Sequence, residues 1–117
     1  MVNFYVINLD KDINRWNKQK PELEKAGIHP IRVPGVLYDD ITKNDINKYF
    51  SKICKYTCPK SVIGCAAANI KAIKRFYETD PNDVGIILED DVYPKHKNVS
   101  SIIEKFVETT LPSSKEW

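Results

Sequence analysis

The sequence predicts an α/β fold with a mostly parallel sheet and flanking helices. Two strand-like runs, Val2–Asn8 and Val84–Leu88, are separated by stretches of helical apolar spacing. The overall order reads strand, helix, strand, helix, strand, which calls for right-handed crossovers between parallel strands. The run Ile86-Ile87-Leu88 shows no polar alternation, so it is expected as a central strand buried on both faces.

Val2–Asn8 is rich in β-branched and aromatic residues and reads as the first strand. Asp10 or Asp12 can cap the following helix, whose apolar positions Ile13, Trp16, Leu23 and Ala26 hold one face. Pro21 lacks the N–H and crowds the preceding turn, so a kink or restart is expected there. Gly27 is a natural stop. Ile28–Val33 then reads as a short second strand and Pro34-Gly35 as a turn. Residues 38–60 are the least periodic; Thr42–Phe50 is expected to be a short helix and the remainder loop.

From Ser61, the residues Val62, Ala66, Ile70, Ile73 and Tyr77 recur at spacings of three and four. They predict a helix reaching about Glu78 with that stripe buried. The small residues Gly64 to Ala68 would let it approach a neighbour or a ligand closely. Thr79–Asp83 is a polar break. Val99–Val107 is a further amphipathic helix, with Ser101 and Glu104 spaced for a capping box. Leu111–Trp117 is short and ambiguous.

At 117 residues the chain is one domain or part of one. With 42% hydrophobic and 29% charged residues it lies outside the disordered class. A net charge of +2, with lysines scattered along the chain, gives no basic stripe for nucleic acid. No apolar run is long enough to span a bilayer, and the first ten residues read as a strand instead of a signal peptide. No intrinsic membrane segment is therefore expected, and the location is cytoplasmic or undefined. Cys54 and Cys58 have no second pair at zinc spacing, and neither His29 nor His96 supplies one. Those two cysteines can pair in an oxidising compartment, whereas Cys65 is expected as a buried thiol.

The chemistry-bearing feature is Glu89-Asp90-Asp91, at the end of the apolar run. Adjacent carboxylates repel unless a cation or hydrogen bonds compensate. On an extended backbone Glu89 and Asp91 share one side and Asp90 takes the other. Oxygen-only ligation suits Mg²⁺ or Mn²⁺, which complete their shells with water and phosphate; a solvated acidic loop is the alternative. In parallel sheets ligands bind beyond the carboxyl ends of the strands. If the first and last strands are neighbours, Asn8-Leu9-Asp10 and the acidic cluster open onto one crevice. Arg15 can hold a phosphate bidentately or pair with Asp12. Asn8 and Asn69 can contact a ligand or satisfy nearby backbone, and Trp16 belongs to the core. There is no Ser/His/Asp set, and Gly27 and Gly35 make no dinucleotide fingerprint.

Three blocks together resemble a known family. Phe4-Tyr5-Val6-Ile7-Asn8-Leu9-Asp10 followed by Arg15, Ser61–Asn69, and Ile87–Val92 are similar, in order, to conserved blocks of glycosyltransferase family 25. That family includes lipooligosaccharide and collagen galactosyltransferases. The resemblance implies a GT-A type fold binding a nucleotide-sugar, with residues 1–117 as a single, truncated, donor-binding half. It implies that Asn8, Leu9, Asp10, Arg15 and Asn69 lie near the nucleotide. Glu89-Asp90-Asp91 would stand for the family's Asp-x-Asp motif, with Asp91 as metal ligand and Glu89 on the ribose or a metal-bound water. Mn²⁺ or Mg²⁺ would be the cofactor, UDP-galactose or a similar UDP-hexose the donor, and a glycan or protein hydroxyl the acceptor.

Two departures accompany the match. Ala68-Asn69 stands where the family has Ser-His, and asparagine does not titrate near neutral pH. Leu111–Trp117 is similar to the family segment that leads into the next core strand. A missing C-terminal half, or self-association into a homo-oligomer, is therefore expected to complete the core. The alternative to an enzyme is a catalytically inactive nucleotide-binding or structural and assembly protein.

Overall fold

The computed structural model describes residues 2–79 and 84–110, so Asp80–Asp83 of the polar break and the ambiguous Leu111–Trp117 lie outside the described residues. Strand β1 (Val2–Asn8) lies between β2 (Pro30–Pro34) and β3 (Val84–Glu89), and both pairings are parallel. Among the described residues the α-helices are α1 (Ile13–Lys25), α2 (Lys43–Tyr49), α3 (Lys52–Thr57) and α4 (Lys60–Thr79) in the connections and, after β3, α5 (Val99–Thr110). The register sets Ile7 against Glu89 and Asn8 against Pro34, so all three strands end together.

Each face of the sheet has its own core. On one, Val2, Phe4 and Val6 meet Leu23 and Ile28, with Trp16 and the α5 residues Val99, Ile103 and Val107 packed around them. On the other, Tyr5 and Val33 meet Ala72, flanked by Phe76 and Ile87. Fully burying a Leu or Val side chain contributes about 1.5–3 kcal/mol. That exceeds the ~1 kcal/mol of a helix cap. Packing therefore holds α1, consistent with the absence of a capping side-chain bond from Asp12. Asp10–Asp12 instead forms a single 3₁₀ turn.

Helix α1 runs through Pro21 without a break. Pro21 sits on the exposed side, so the carbonyl that loses its N–H partner faces water. The helix stops where expected. Gly27 adopts φ +81°, the Ile28 N–H donates to the Leu23 carbonyl at 3.0 Å and the Gly27 N–H to that of Glu24 at 3.1 Å. This is a Schellman closure, with Leu23 and Ile28 both buried beneath it.

Several expectations are corrected. Val84–Glu89 is not the central strand; among the described strands β1 is central, and β3 is half-buried at the side. The second strand begins at Pro30 instead of Ile28, because the Schellman closure consumes residues 27 and 28. Prolines at both ends of β2 fit its place at a sheet edge. The loop region contains α3, capped by the Ser51 hydroxyl accepting from the Cys54 N–H at 3.1 Å, and Cys54 is disulfide-bonded to Cys58. Helix α5 begins at Val99, so Ser101 lies within its first turn and no capping box forms with Glu104.

The largest correction concerns α4. Val62, Ile73 and Tyr77 are 51%, 55% and 73% exposed, while Ile63, Gly64, Ala68 and Ala72 are buried. The small residues decide which face turns inward, because they let the helix axis come close to β1 and β2. A Cβ on Gly64 would stand 2.6 Å from the Val36 carbonyl oxygen, and Tyr5 meets Phe76 edge-to-face with centroids 6.1 Å apart. Cys65 falls on the outer side and is exposed, not buried.

Because the atom facing Gly64 belongs to backbone, Gly64→Ala is expected to cost about 1–3 kcal/mol through overpacking. A urea unfolding midpoint equal to that of the unmodified chain would contradict this close approach.

Candidate functional site

The common ending of the strands places Asn8 beside Asp90. Asn8 is 1% exposed and its side chain is fully engaged. Its Nδ2 donates to the Asp12 carbonyl at 3.0 Å and to Asp90 Oδ2 at 2.8 Å, while its Oδ1 accepts from Arg32 Nε at 3.1 Å. Arg32, on β2, also donates from Nη2 to the Asn8 carbonyl and to Asp10 Oδ1, at 3.1 and 2.7 Å. Arg15 Nη1 approaches Asp90 Oδ1 at 3.6 Å from the solvent side. An ion pair so exposed contributes little by itself. The bond from Asn8 anchors Asp90.

The backbone of the acidic segment is held separately. Gln19 of α1, completely buried, donates from Nε2 to the carbonyls of Glu89 at 2.9 Å and Val92 at 2.7 Å. Asp90 and Asp91 form the turn between those carbonyls. Glu89 and Asp91 are exposed, and with Asp90 they line a cleft of about 640 Å³ beyond the strand ends.

Leu9, Arg15 and Asn69 line the same cleft, so it gathers six of the eight residues expected at the site. Asn8 lies beneath it as a tie between strands. Asp10 is not part of its lining; its carboxylate is turned to solvent and pairs with Arg32. The Asn69 side-chain amide donates to the Cys65 carbonyl one turn earlier, at 2.9 Å. Lys11, Arg15 and Lys60 line the cleft as well, with Lys60 Nζ lying 5.2 Å from the centre of the Tyr38 ring. The cleft therefore carries both carboxylates and cations.

Arg32, Gln19, Tyr38 and Lys60 were not expected at the site. Arg32 had a signal, a charge between Ile31 and Val33 in a strand. Gln19 had one too, since it falls in the helical stripe Trp16, Leu23, Ala26 at the spacing of a core position. Tyr38 and Lys60 reach the cleft only through the fold around Gly64 and carry no local pattern.

Among the described residues no three His, Cys, Asp or Glu side chains converge as a ready metal cage. Asp90 is committed to Asn8 and Arg15, which leaves Glu89 and Asp91 on the cleft wall. Two carboxylates without a partner among the described residues suit a hard cation that takes one or two protein oxygens and completes its shell with water and phosphate. A second cavity of about 430 Å³ lies between α2 and α4, away from this cluster. On its wall Lys74 donates to the Tyr49 hydroxyl, a bond that lowers the pKa of Tyr49 and raises that of Lys74. Among the described residues no helix is long and apolar enough to cross a membrane.

The acidic turn lies at the carboxyl edge of an all-parallel sheet, where ligands bind in open α/β folds. The chain belongs to glycosyltransferase family 25 (LPS biosynthesis protein), whose family model matches residues 1–116. Membership supports a glycosyltransferase role in LPS biosynthesis. No curated protein and no solved structure gives a significant match.

Removing the buried amide would leave Asp90 and Arg32 short of a partner. Asn8→Ala is expected to destabilise the chain by about 1–3 kcal/mol, read as a lower urea midpoint. An unchanged midpoint would show that the strand ends do not depend on it.

Proposed function

We propose that this chain forms the donor-binding part of a metal-dependent glycosyltransferase that takes a UDP-hexose such as UDP-galactose. The acceptor would be a glycan or protein hydroxyl. One observation carries the reading: Lys11, Arg15 and Lys60 share with Glu89 and Asp91 the lining of a single cleft at the ends of β1 and β3. A diphosphate needs cationic donors, and a divalent cation bound to it needs carboxylates.

In this reading Arg15 and Lys60 donate to the phosphate oxygens. Asn8 keeps the Asp90 carboxylate in place, so Asp90 in turn orients Arg15 towards the cleft. Asp91 and Glu89 would hold Mn²⁺ or Mg²⁺, which when bound would neutralise negative charge on the diphosphate leaving group. Tyr38, in the lining of the same cleft, offers a ring for the nucleobase. An acceptor hydroxyl then attacks the anomeric carbon: the new C–O bond forms as the bond to the diphosphate breaks, and the hydroxyl proton leaves to a base.

The second reading, a nucleotide-binding or assembly protein without transfer activity, is favoured by one feature. Asn69 occupies the position of the family histidine, and its amide is spent on the Cys65 carbonyl. That side chain cannot relay a proton. Self-association would belong to this reading, and Val62, Ile73 and Tyr77 on the outer side of α4 supply apolar area for it.

Calorimetric titration separates the possibilities. UDP is expected to bind with Mn²⁺ present, and Asp91→Ala to weaken that binding by at least about tenfold, or roughly 1.4 kcal/mol. No binding of UDP at millimolar concentration would sink the nucleotide reading. Binding without galactose transfer to any hydroxyl acceptor would favour the second.

A further inference from the structure

Gln19 is the one polar residue on a helix face that is otherwise core. Trp16, Leu23 and Ala26 flank it at spacings of three and four, and Gln19 itself is 0% exposed. A long polar side chain in such a place must have its donors and acceptor satisfied or the fold suffers. Both N–H groups of its amide are satisfied, and by the same short segment. Its Oε1, by contrast, has no partner among the described residues. The side chain thus keeps both donors aimed at the acidic turn.

The turn depends on those donors more than on itself. Its own closing bond, from the Val92 N–H to the Glu89 carbonyl, is long at 3.4 Å. The two bonds from Gln19 are 2.9 and 2.7 Å, and they reach the carbonyls on either side of Asp90 and Asp91. Asn8 meanwhile restrains the Asp90 side chain at 2.8 Å. Backbone and central carboxylate are thereby fixed from beneath, by α1 and β1 respectively. Glu89 and Asp91 remain free at the cleft, on a turn whose shape is imposed by a helix.

We infer that Gln19 is a positioning residue: it presets the Glu89–Val92 turn so that Glu89 and Asp91 present their carboxylates to a cation carried by a nucleoside diphosphate. This rests on the nucleotide reading of the cleft. Partners behind metal ligands act in this way elsewhere, and their loss costs about 10- to 100-fold in metal affinity. A core residue with no such role would change stability without separating metal-dependent from metal-independent binding.

The test uses Gln19→Met, which keeps length and volume but removes both donors. With the 117-residue chain, UDP affinity in EDTA is expected to stay within about twofold of the unmodified chain, while affinity for UDP with saturating Mn²⁺ falls by about 10- to 100-fold. Equal loss in both arms, or loss in neither, would overturn the inference. If Gln19→Met does not fold, NMR on the unmodified chain decides. The Gln19 side-chain amide protons are expected to exchange slowly and to shift on adding Mg²⁺ with UDP; exchange at the rate of an exposed glutamine would overturn it. If the unmodified chain binds no UDP, the nucleotide reading falls by itself. Amide exchange then judges Gln19 separately: Val92 should exchange faster in Gln19→Met, and an unchanged rate would refute its hold on the turn.

Discussion

The carboxamide of Asn8, at the end of the central described strand, meets groups from β2, from the turn after β3 and from the entrance to α1, in a place almost without access to water. From β2 it receives Arg32, beyond β3 it binds Asp90, and at the entrance to α1 it holds the Asp12 carbonyl. A polar network built around a buried amide depends on that amide's partners, because a buried polar group left unpaired is costly. Charges alternate along it, Asp10, Arg32, Asn8, Asp90, Arg15, so that no like pair is adjacent. The three strand ends are thus fixed relative to one another by polar contacts, where apolar packing has run out.

The two sides of the sheet serve this arrangement differently. Large side chains from α1 and α5 fill the first core and set α1 at a distance from which Gln19 reaches past β1 to the turn after β3. On the opposite side α4 approaches through Ala68 and Ala72, which brings Asn69 and Cys65 to the cleft wall. One side thus lets a polar contact pass through its core, and the other supplies a wall of the cleft.

Local signals in the sequence were reliable where the physics is local. The extent of β1, the stop at Gly27 and the span of α4 follow from residue types and their immediate neighbours. The inward face of α4 did not follow, because periodicity of large apolar residues ignores how closely a helix can approach. Val62, Ile73 and Tyr77 form the stronger pattern, yet Ala68 and Ala72 fit against Tyr5 and Val33. The place of β3 in the sheet was equally invisible, since strand order is a long-range property. Leu9 and the acidic cluster could be foreseen together because strand ends gather ligands, with Arg15 one helical turn beyond; Asn69, on a helix, was placed there through the family resemblance. The supporting residues Gln19 and Arg32 could be interpreted only once their distant partners were known.

Where α4 passes the segment after β2, Gly64 meets the carbonyl of Val36, so part of the cleft wall is main chain packed on main chain. A wall built of backbone keeps its place whatever side chains evolve around it. Divergence in what enters would then be written at Leu37, Tyr38 and Lys60, lining residues whose side chains can be exchanged without moving that contact. The position of the wall belongs to the fold, and the taste of the cleft to a handful of side chains.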